Sequence, residues 1–372
     1  MQKIQGGGGN SLKFRVKSEV VRVGGSSSSW RFGKRELGNF SFFNLHFSFS
    51  FILSIVFSFV AIGSVLPASL YAEPAKIRVG TYNIRCISKN DKGDRSWNDR
   101  RNDCFAHIRR LDLDVFGLQE VTARQRNEIE KNFPDYDFVG RSRGAKSYKG
   151  ESVPVYYRKS RFNLEKSGTF WLSETPEVPG SKSWGTAIPR ICTYVILKDK
   201  KSGKRLCFAN THTDHKSEEA REKGMLLVVK RMKDFGKGAP IVFVGDHNCC
   251  ETDAPANAVS QILKDAIYLT KTPPKGPWRT FSAWNWRDRE VSAVEALKIP
   301  KKVRNAKKSS PDADKSKNGG YDWIDCGAKI DFLYVSPDIT VETYETFADP
   351  RPGKKCYHSD HFPIVCDIIL KK

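Results

Sequence analysis

The chain has 372 residues, 39% hydrophobic, 12% aromatic and 28% charged, enough for one large domain or two small ones with a core of ordinary size. Apolar segments recur through most of its length, which excludes collagen-like, coiled-coil and wholly disordered chains. The formal net charge is +21, of which residues 73–372 keep +15; such a surplus favours anionic partners (phosphate esters, nucleic acid or acidic lipid surfaces) and leaves the fold open.

The first forty residues are basic and Gly/Ser-rich, and residues 47–66 are apolar apart from Gly63 and scattered serines. Pro67-Ala68-Ser69-Leu70-Tyr71-Ala72 then leads into Glu73. A basic flank, an apolar run and a small-residue exit describe a secretory signal peptide. The run also approaches the length of a bilayer span, so an uncleaved anchor is the alternative. Either way residues 1–72 are expected to be a leader, and residues 73–372 an exported (periplasmic or extracellular) domain.

From Lys76 the pattern becomes globular. A strand is predicted over Lys76–Ile84, a helix over Asn98–Leu111 opened by Asn98 or Asp99, and a buried strand over Leu113–Gln119. Thr122-Ala123-Arg124-Gln125 matches a capping box that starts the next helix. Strands follow at Val153–Arg158, Phe170–Leu172, Ile191–Leu197, Arg205–Thr211 and Ile241–Gly245. A helix over Ser217–Phe235 has an acidic first turn and basic residues toward its end. The last strands are Lys329–Val335, Thr340–Thr346 and Phe362–Leu370. This is an α/β pattern without strict alternation. Residues 298–317 carry eight Lys/Arg against two Asp and are expected to be an exposed basic insert loop, not a core element. Cys192, Cys207 and Cys366 sit in strand-like runs as small buried apolar residues. Cys326 with Cys356 is a conceivable disulfide, and without any C-x-x-C structural zinc has little support.

Chemistry gathers at strand ends. Asn83 closes the run from Val79, Glu120 the run from Val115, and His212 the run from Phe208, with Asp214 and His215 just beyond. Asp246 and Asn248 end the run from Ile241; Asp331 precedes Phe332 to Val335, and Ser359-Asp360-His361 precedes Phe362 to Val365. One such residue alone is more readily a turn or a cap. A recurring set is costly unless the groups share a rim where water, metal or substrate satisfies them. Residues two apart on extended chain face the same side, so Asp246 and Asn248 can serve one site. Glu120, Asp246, Asp360 and the amides of Asn83 and Asn248 are hard oxygen donors suited to Mg²⁺ or Mn²⁺. Asp331 could fix the tautomer of His361, and Arg190 could meet phosphate charge bidentately.

This set resembles the endonuclease/exonuclease/phosphatase superfamily from about Lys76 to Ile369. Leu118-Gln119-Glu120, Gly245-Asp246-His247-Asn248 and Ser359-Asp360-His361 carry the likeness, and the stretch from Phe170 to Gly185 is similar to exported bacterial members. The resemblance implies a four-layer α/β sandwich of two face-to-face β-sheets flanked by helices, with the site on one rim. It implies Glu120 as the principal Mg²⁺ ligand with Asn83 and Asp360 nearby. Asp246 would orient or deprotonate water, Asn248 would position water or phosphate, and His212 and His361 would hold the scissile phosphate with Asp331 behind His361. Two departures are His247, at a position usually apolar in the family, which raises a second metal site or an altered pocket, and the Lys-rich insert.

Three rivals stand beside this. Asn210-Thr211-His212-Thr213-Asp214-His215 falls one histidine short of the H-x-H-x-D-H of metallo-β-lactamase-type zinc hydrolases. A non-catalytic basic nucleic-acid-binding domain would fit the charge but not the complete ligand set, and no Gly-rich phosphate loop is present. The expectation is an exported, Mg²⁺- or Mn²⁺-dependent phosphoesterase without an obligate protein partner. A phosphodiesterase or nuclease comes first, and phosphatase or sphingomyelinase-like action on a small or lipid phosphoester is the alternative.

Overall fold

In the computed structural model, which describes residues 76–146, 150–305 and 327–371, the apolar runs pair into two six-stranded sheets. The expected leader, Cys326, Lys307 and Lys308 lie outside the described residues. One sheet has β1 (Ile77–Asn83), β2 (Val115–Gln119), β3 (Tyr136–Val139), β4 (Val155–Arg158), β11 (Ile339–Thr346) and β12 (Ile364–Leu370), in the order β11-β12-β1-β2-β4-β3. The other has β5 (Phe162–Trp171), β6 (Ile191–Asp199), β7 (Arg205–His212), β8 (Ile241–Asp246), β9 (Lys264–Asp265) and β10 (Asp331–Val335), in the order β5-β6-β7-β8-β10-β9. In each sheet one central pair is parallel, β1 with β2 and β7 with β8, while the remaining pairs are antiparallel.

Strands such as β7 and β8 are buried on both faces, so they show as continuous apolar runs rather than alternation. Between the sheets, Val79, Val115 and Val155 meet Val195, Phe208, Val242 and Leu333. Outside the first sheet, α1 (Trp97–Leu111) and α2 (Ala123–Asn132) bring Phe105, Ile108 and Ile129 onto Phe116 and Tyr156. Outside the second, α3 (Glu218–Gly236) lays Met225, Val228 and Met232 over Ile196, Cys207 and Phe243. Helix, sheet, sheet and helix make the expected four layers.

Local chemistry accounts for most boundaries. Ser96, two residues before the expected start, caps α1 by accepting the Asp99 N–H, which brings Trp97 into the helix and under cover. The Thr122/Gln125 capping box forms as its residues dictate. β3 escapes the sequence pattern because it is a short, half-exposed edge strand.

The root of the basic insert corrects the exposed-loop expectation. After α4 (Ala254–Ser260) and α5 (Ala293–Leu297), residues Lys301–Arg304 form the single turn α6. Ile299 and Val303, four apart and hence on one face, enter the central core. Arg304 is buried, ion-paired to Glu251 at 2.7 Å, with its guanidinium 4.6 Å from the Trp278 ring. A charge count sees only the cations; the apolar spacing and the carboxylate waiting inside decide the burial. Lys301 and Lys302 stay exposed.

Candidate active site

Strand register brings the strand-end residues onto one rim. Asn83 pairs with Gln119, just before Glu120; His212 pairs with Asp246, and Asp331 faces Asp246 from the other side. Asp360-His361 is held against this row by a loop: Ser282 N–H donates to the Asp360 carbonyl at 2.7 Å, and Phe362 N–H to that of Thr280. The Thr280 hydroxyl in turn accepts the Asp331 N–H at 3.0 Å, tying β10 to the same loop. Arg85, Glu120 and Asn248 all adopt left-handed backbone angles (φ 57°, 61° and 47°), uncommon for residues with a side chain. Three such residues at one rim mark sharp turns imposed by the surroundings, each costing on the order of 1 kcal/mol or more. Gly245 has no such latitude to lose: at φ 148° a methyl group there would sit 2.0 Å from the Thr211 carbonyl oxygen.

The side chains form a connected set. The Asn83 amide donates to Glu120 Oε1 at 3.1 Å and to Asp246 Oδ2 at 3.0 Å. Glu120 Oε2 accepts the Cys86 N–H at 3.0 Å. His361 Nδ1 donates to Asp331 Oδ2 at 2.9 Å, while its Nε2 lies 3.6 Å from Asp246 Oδ2. His212 Nε2 approaches the same Asp246 oxygen at 3.4 Å. Asn248 donates its backbone N–H to Asp246 Oδ1 and its side-chain amide to the Thr213 carbonyl. Arg85 stands 3.9 Å from Glu120 and 3.8 Å from Asp360, so one guanidinium joins the two carboxylates.

Two histidines on this rim take opposite charge states. Burial disfavours a charged His361, but Asp331 and Asp246 outweigh it and push the ring up to about 10. Burial together with the nearby Arg190 and Arg143 holds His212 well below its ordinary value, so it is neutral. Burial raises Asp246, opposed by His361 and reinforced by Asp331. Glu120 is held below the usual carboxylate range: the Cys86 N–H, His361, Asn83 and Arg85 together overcome its burial.

A cleft of about 310 Å³ opens over this set, walled by Arg143, Arg190, His215, Glu151, Phe281 and Ile330 among others. Arg190 is only 4% exposed; it contacts His215 at 3.1 Å, and its Nε and Nη1 have no hydrogen-bond partner.

A sequence profile of the Endonuclease/Exonuclease/phosphatase family matches residues 80–361. The chain belongs to this family. An endonuclease/exonuclease/phosphatase of Bacteroides vulgatus is 29% identical in a superposition covering 80% of this chain and 100% of that one, with a TM-score of 0.65. The mannosyl-6-phosphatase of Bacteroides thetaiotaomicron is also 29% identical, over 79% of this chain and 100% of its own, with a TM-score of 0.63. An uncharacterized protein of Acanthamoeba polyphaga mimivirus is 23% identical over 204 residues; the match spans 45% of this chain and 30% of the viral protein.

The rim of this endonuclease/exonuclease/phosphatase domain therefore belongs to a family of hydrolytic phosphoesterases that typically use a divalent metal. Its donor set fits such an ion. One donor atom each from Glu120, Asp246 and His361 lie within 4.8 Å of one another, near the separation of about 4 Å between two oxygens on opposite sides of one Mg²⁺. The Nδ1 of His361 is taken up by Asp331, and Glu120, Asp246 and Asp360 offer the oxygen donors. Asn83 as placed turns its NH₂ toward the carboxylates and its oxygen toward the Arg85 N–H.

All nine residues singled out from the sequence line or adjoin this cleft, with Arg190 on its wall. The second metal site suggested by His247 does not form. The ring is fully buried, stacked at 5.7 Å on Phe332 and 5.6 Å on Tyr334, and burial drops its pKa to about 3. The metallo-β-lactamase reading also falls, because Asn210 is locked between the sheets on the Leu118 and Pro154 carbonyls, and Asp214 accepts the Lys216 and Ser217 N–H groups. Trp171 packs with Val153 and Ile191 and donates to the Arg143 carbonyl. Sequence reasoning missed Arg143, Glu151 and Thr280, which carry no local signal. Arg85 was findable, since it lies two residues beyond Asn83.

Proposed function

We propose that the protein is a divalent-metal-dependent phosphoesterase whose preferred substrate is a small phosphomonoester. The observation that carries this is the unbroken contact series Asp331–His361–Asp246–Asn83–Glu120 on one rim beneath a cleft lined by three arginines, Arg85, Arg143 and Arg190, together with the rim carboxylates and Glu151. Mg²⁺ or Mn²⁺ at Glu120, with Asp360 and Asp246 beside it, would polarise the phosphoryl oxygen and offset developing charge. The chain's own groups do the rest. Asp246, raised by burial, is placed to take a proton from the attacking water, with Asn248 beside it. His361, kept cationic by Asp331, donates from Nε2 toward a phosphate oxygen, and Arg190 offers Nη1, which has no hydrogen-bond partner, beside an Nε that stands 3.8 Å from Asp214.

From sequence a phosphodiester ranked ahead of a monoester. Two observations support the reverse order. A cleft of about 310 Å³ suits a small ligand, and a monoester dianion matches a wall carrying Arg85, Arg143 and Arg190 better than a singly charged diester does. The 29% identity to a mannosyl-6-phosphatase across that enzyme's whole length points the same way. We also propose, from the leader, that the domain is exported.

The test is a panel of sugar phosphates, nucleotides, short DNA and RNA, and bis-ester analogues, assayed with Mg²⁺, with Mn²⁺ and in chelator. Hydrolysis of monoesters ahead of diesters, lost in chelator and restored by either metal, is the expected result. Glu120→Gln, which keeps shape but removes the charge, should lower turnover by orders of magnitude. Full activity in excess chelator would refute metal dependence, and faster turnover of nucleic acid would restore the nuclease reading.

A further inference from the structure

The end of the sandwich away from the cleft is built differently. β7 and β8 begin there at Arg205 and Ile241, and β12 ends there at Leu370. Between them lies a groove of about 310 Å³ walled by Lys204, Arg205, Lys237 and Lys371. Lys198, Lys200 and Lys201, on the end of β6 and the turn into β7, extend the same surface and are exposed. Arg205 pairs with Glu165 at 2.6 Å, Asp199 is buried and paired to Arg161 at 3.0 Å, and Asp338 is turned onto Ser336. The lysines are uncompensated. Among the described residues none of the six forms an ion pair, and Lys200, Lys204 and Lys371 donate only to the backbone carbonyls of Lys159, Leu370 and Pro337.

Chain connectivity singles out this end a second time. β1 starts at Ile77, paired with Ile368 beside the groove, and runs about 20 Å to Asn83 on the catalytic rim. The apolar run 47–66 ends ten residues before Lys76, a reach of at most about 35 Å. The chain thus enters the described domain at the lysine-bearing end and not at the cleft.

We infer that this lysine-rich end is a docking surface for an anionic lipid bilayer, and that it presents the catalytic cleft to the solvent side. Lysines near an acidic membrane surface each strengthen binding about fivefold, and the attraction fades within a Debye length. Surface binding of this kind keeps the domain oriented whether or not the leader remains attached. The inference does not depend on the phosphoesterase reading.

The test uses residues 73–372. Residues 69–372 form one compact unit, and the Bacteroides vulgatus relative, matched over its whole length, is that unit alone. Co-sedimentation is measured with phosphatidylcholine vesicles, with and without a third of phosphatidylglycerol. Binding to the acidic vesicles only, released by salt, is expected. The triple variant Lys200→Gln, Lys201→Gln, Lys237→Gln should weaken it about a hundredfold while leaving hydrolysis of a soluble phosphoester unchanged. A charge-matched triple on the loops of the other end, Lys89→Gln, Lys92→Gln, Lys182→Gln, should weaken it far less. No binding to acidic vesicles at low salt overturns the inference, as does equal loss in both triples. Tighter, lysine-dependent binding of an oligonucleotide than of vesicles would make the surface a nucleic-acid interface and overturn it too. A dead enzyme that still docks through these lysines would sink only the catalytic proposal.

Discussion

The two ends of this sandwich carry charge in opposite ways. At the cleft rim carboxylates and cations are buried together, so each group's state is set by its neighbours: Asp331 and Asp246 push His361 up, while burial with Arg190 and Arg143 nearby holds His212 down. At the far end the lysines are exposed or half-buried, and none of them forms an ion pair among the described residues. Buried charge is costly to desolvate and is held only where partners compensate it, so removing one partner is severe; exposed charge without an ion-pair partner fixes no geometry but projects a field. One arrangement suits chemistry at a point, the other attraction to a surface.

Removing a compensating partner at the rim should produce the largest effects. His361→Ala, folded by circular dichroism, should lose about 10²–10⁴ in kcat, the usual worth of a positioned acid–base group. Asp331→Asn should fall between it and the parent, because the ring keeps its position but loses the charge that holds its proton. An active His361→Ala enzyme would break the contrast, since the rim's buried charges would then be structural only.

The same compensation at the root of the insert can be broken without touching the rim. Arg304→Ala leaves Glu251 buried against Tyr268 with no guanidinium, a loss of about 3–5 kcal/mol measurable by urea denaturation. A deletion beginning at residue 298 should unfold the domain with it, as Ile299 and Val303 leave the core. A cut confined to residues 306–317 spares all three residues.

On the cleft wall, Arg190→Ala should raise KM for a phosphomonoester about 10- to 100-fold, as expected for a charge-assisted hydrogen bond. Arg190→Lys should recover only part of it, because a point charge cannot replace a planar fork. An unchanged KM would remove Arg190 from the binding wall.

The smallest effect concerns a buried histidine that lacks the rim's carboxylates. His107 is stacked at 4.3 Å on His358, and its Nδ1 faces Arg110 at 2.8 Å; burial, with those two neighbours, drops it to about 2. Its folded pKa lies below the unfolded value near 6.5, so the unfolded chain takes up the proton first as pH falls. Stability is thus intact above about pH 6.5 and declines below it, by about 2 kcal/mol at pH 5 from this residue. His107→Gln should flatten that decline in urea titrations at pH 7 and pH 5; an equally steep decline would assign the acid sensitivity elsewhere.

The architecture and most of the rim are legible in the sequence because burying a polar strand end is costly, so Asn83, Glu120, His212, Asp246 and Asp331 stand out against their apolar runs. Arg143, Glu151 and Thr280 leave no such trace. They come from connecting loops, and only tertiary packing brings them to the cleft. The insert misled for the converse reason: eight cations mask two apolar residues spaced one helical turn apart. His247 misled because a histidine beside a ligand motif looks like a ligand, whereas its ring faces Phe332 and Tyr334.

Gly245 ties these scales together. The parallel register that sets His212 beside Asp246 depends on β7 and β8 approaching so closely that the space between Gly245 and the Thr211 carbonyl cannot admit even one carbon atom. A single methyl group there would part the strands and separate the His212 and Asp246 side chains without altering either. A lesion at this rim can therefore add an inert atom to the backbone's neighbourhood and remove no chemical group.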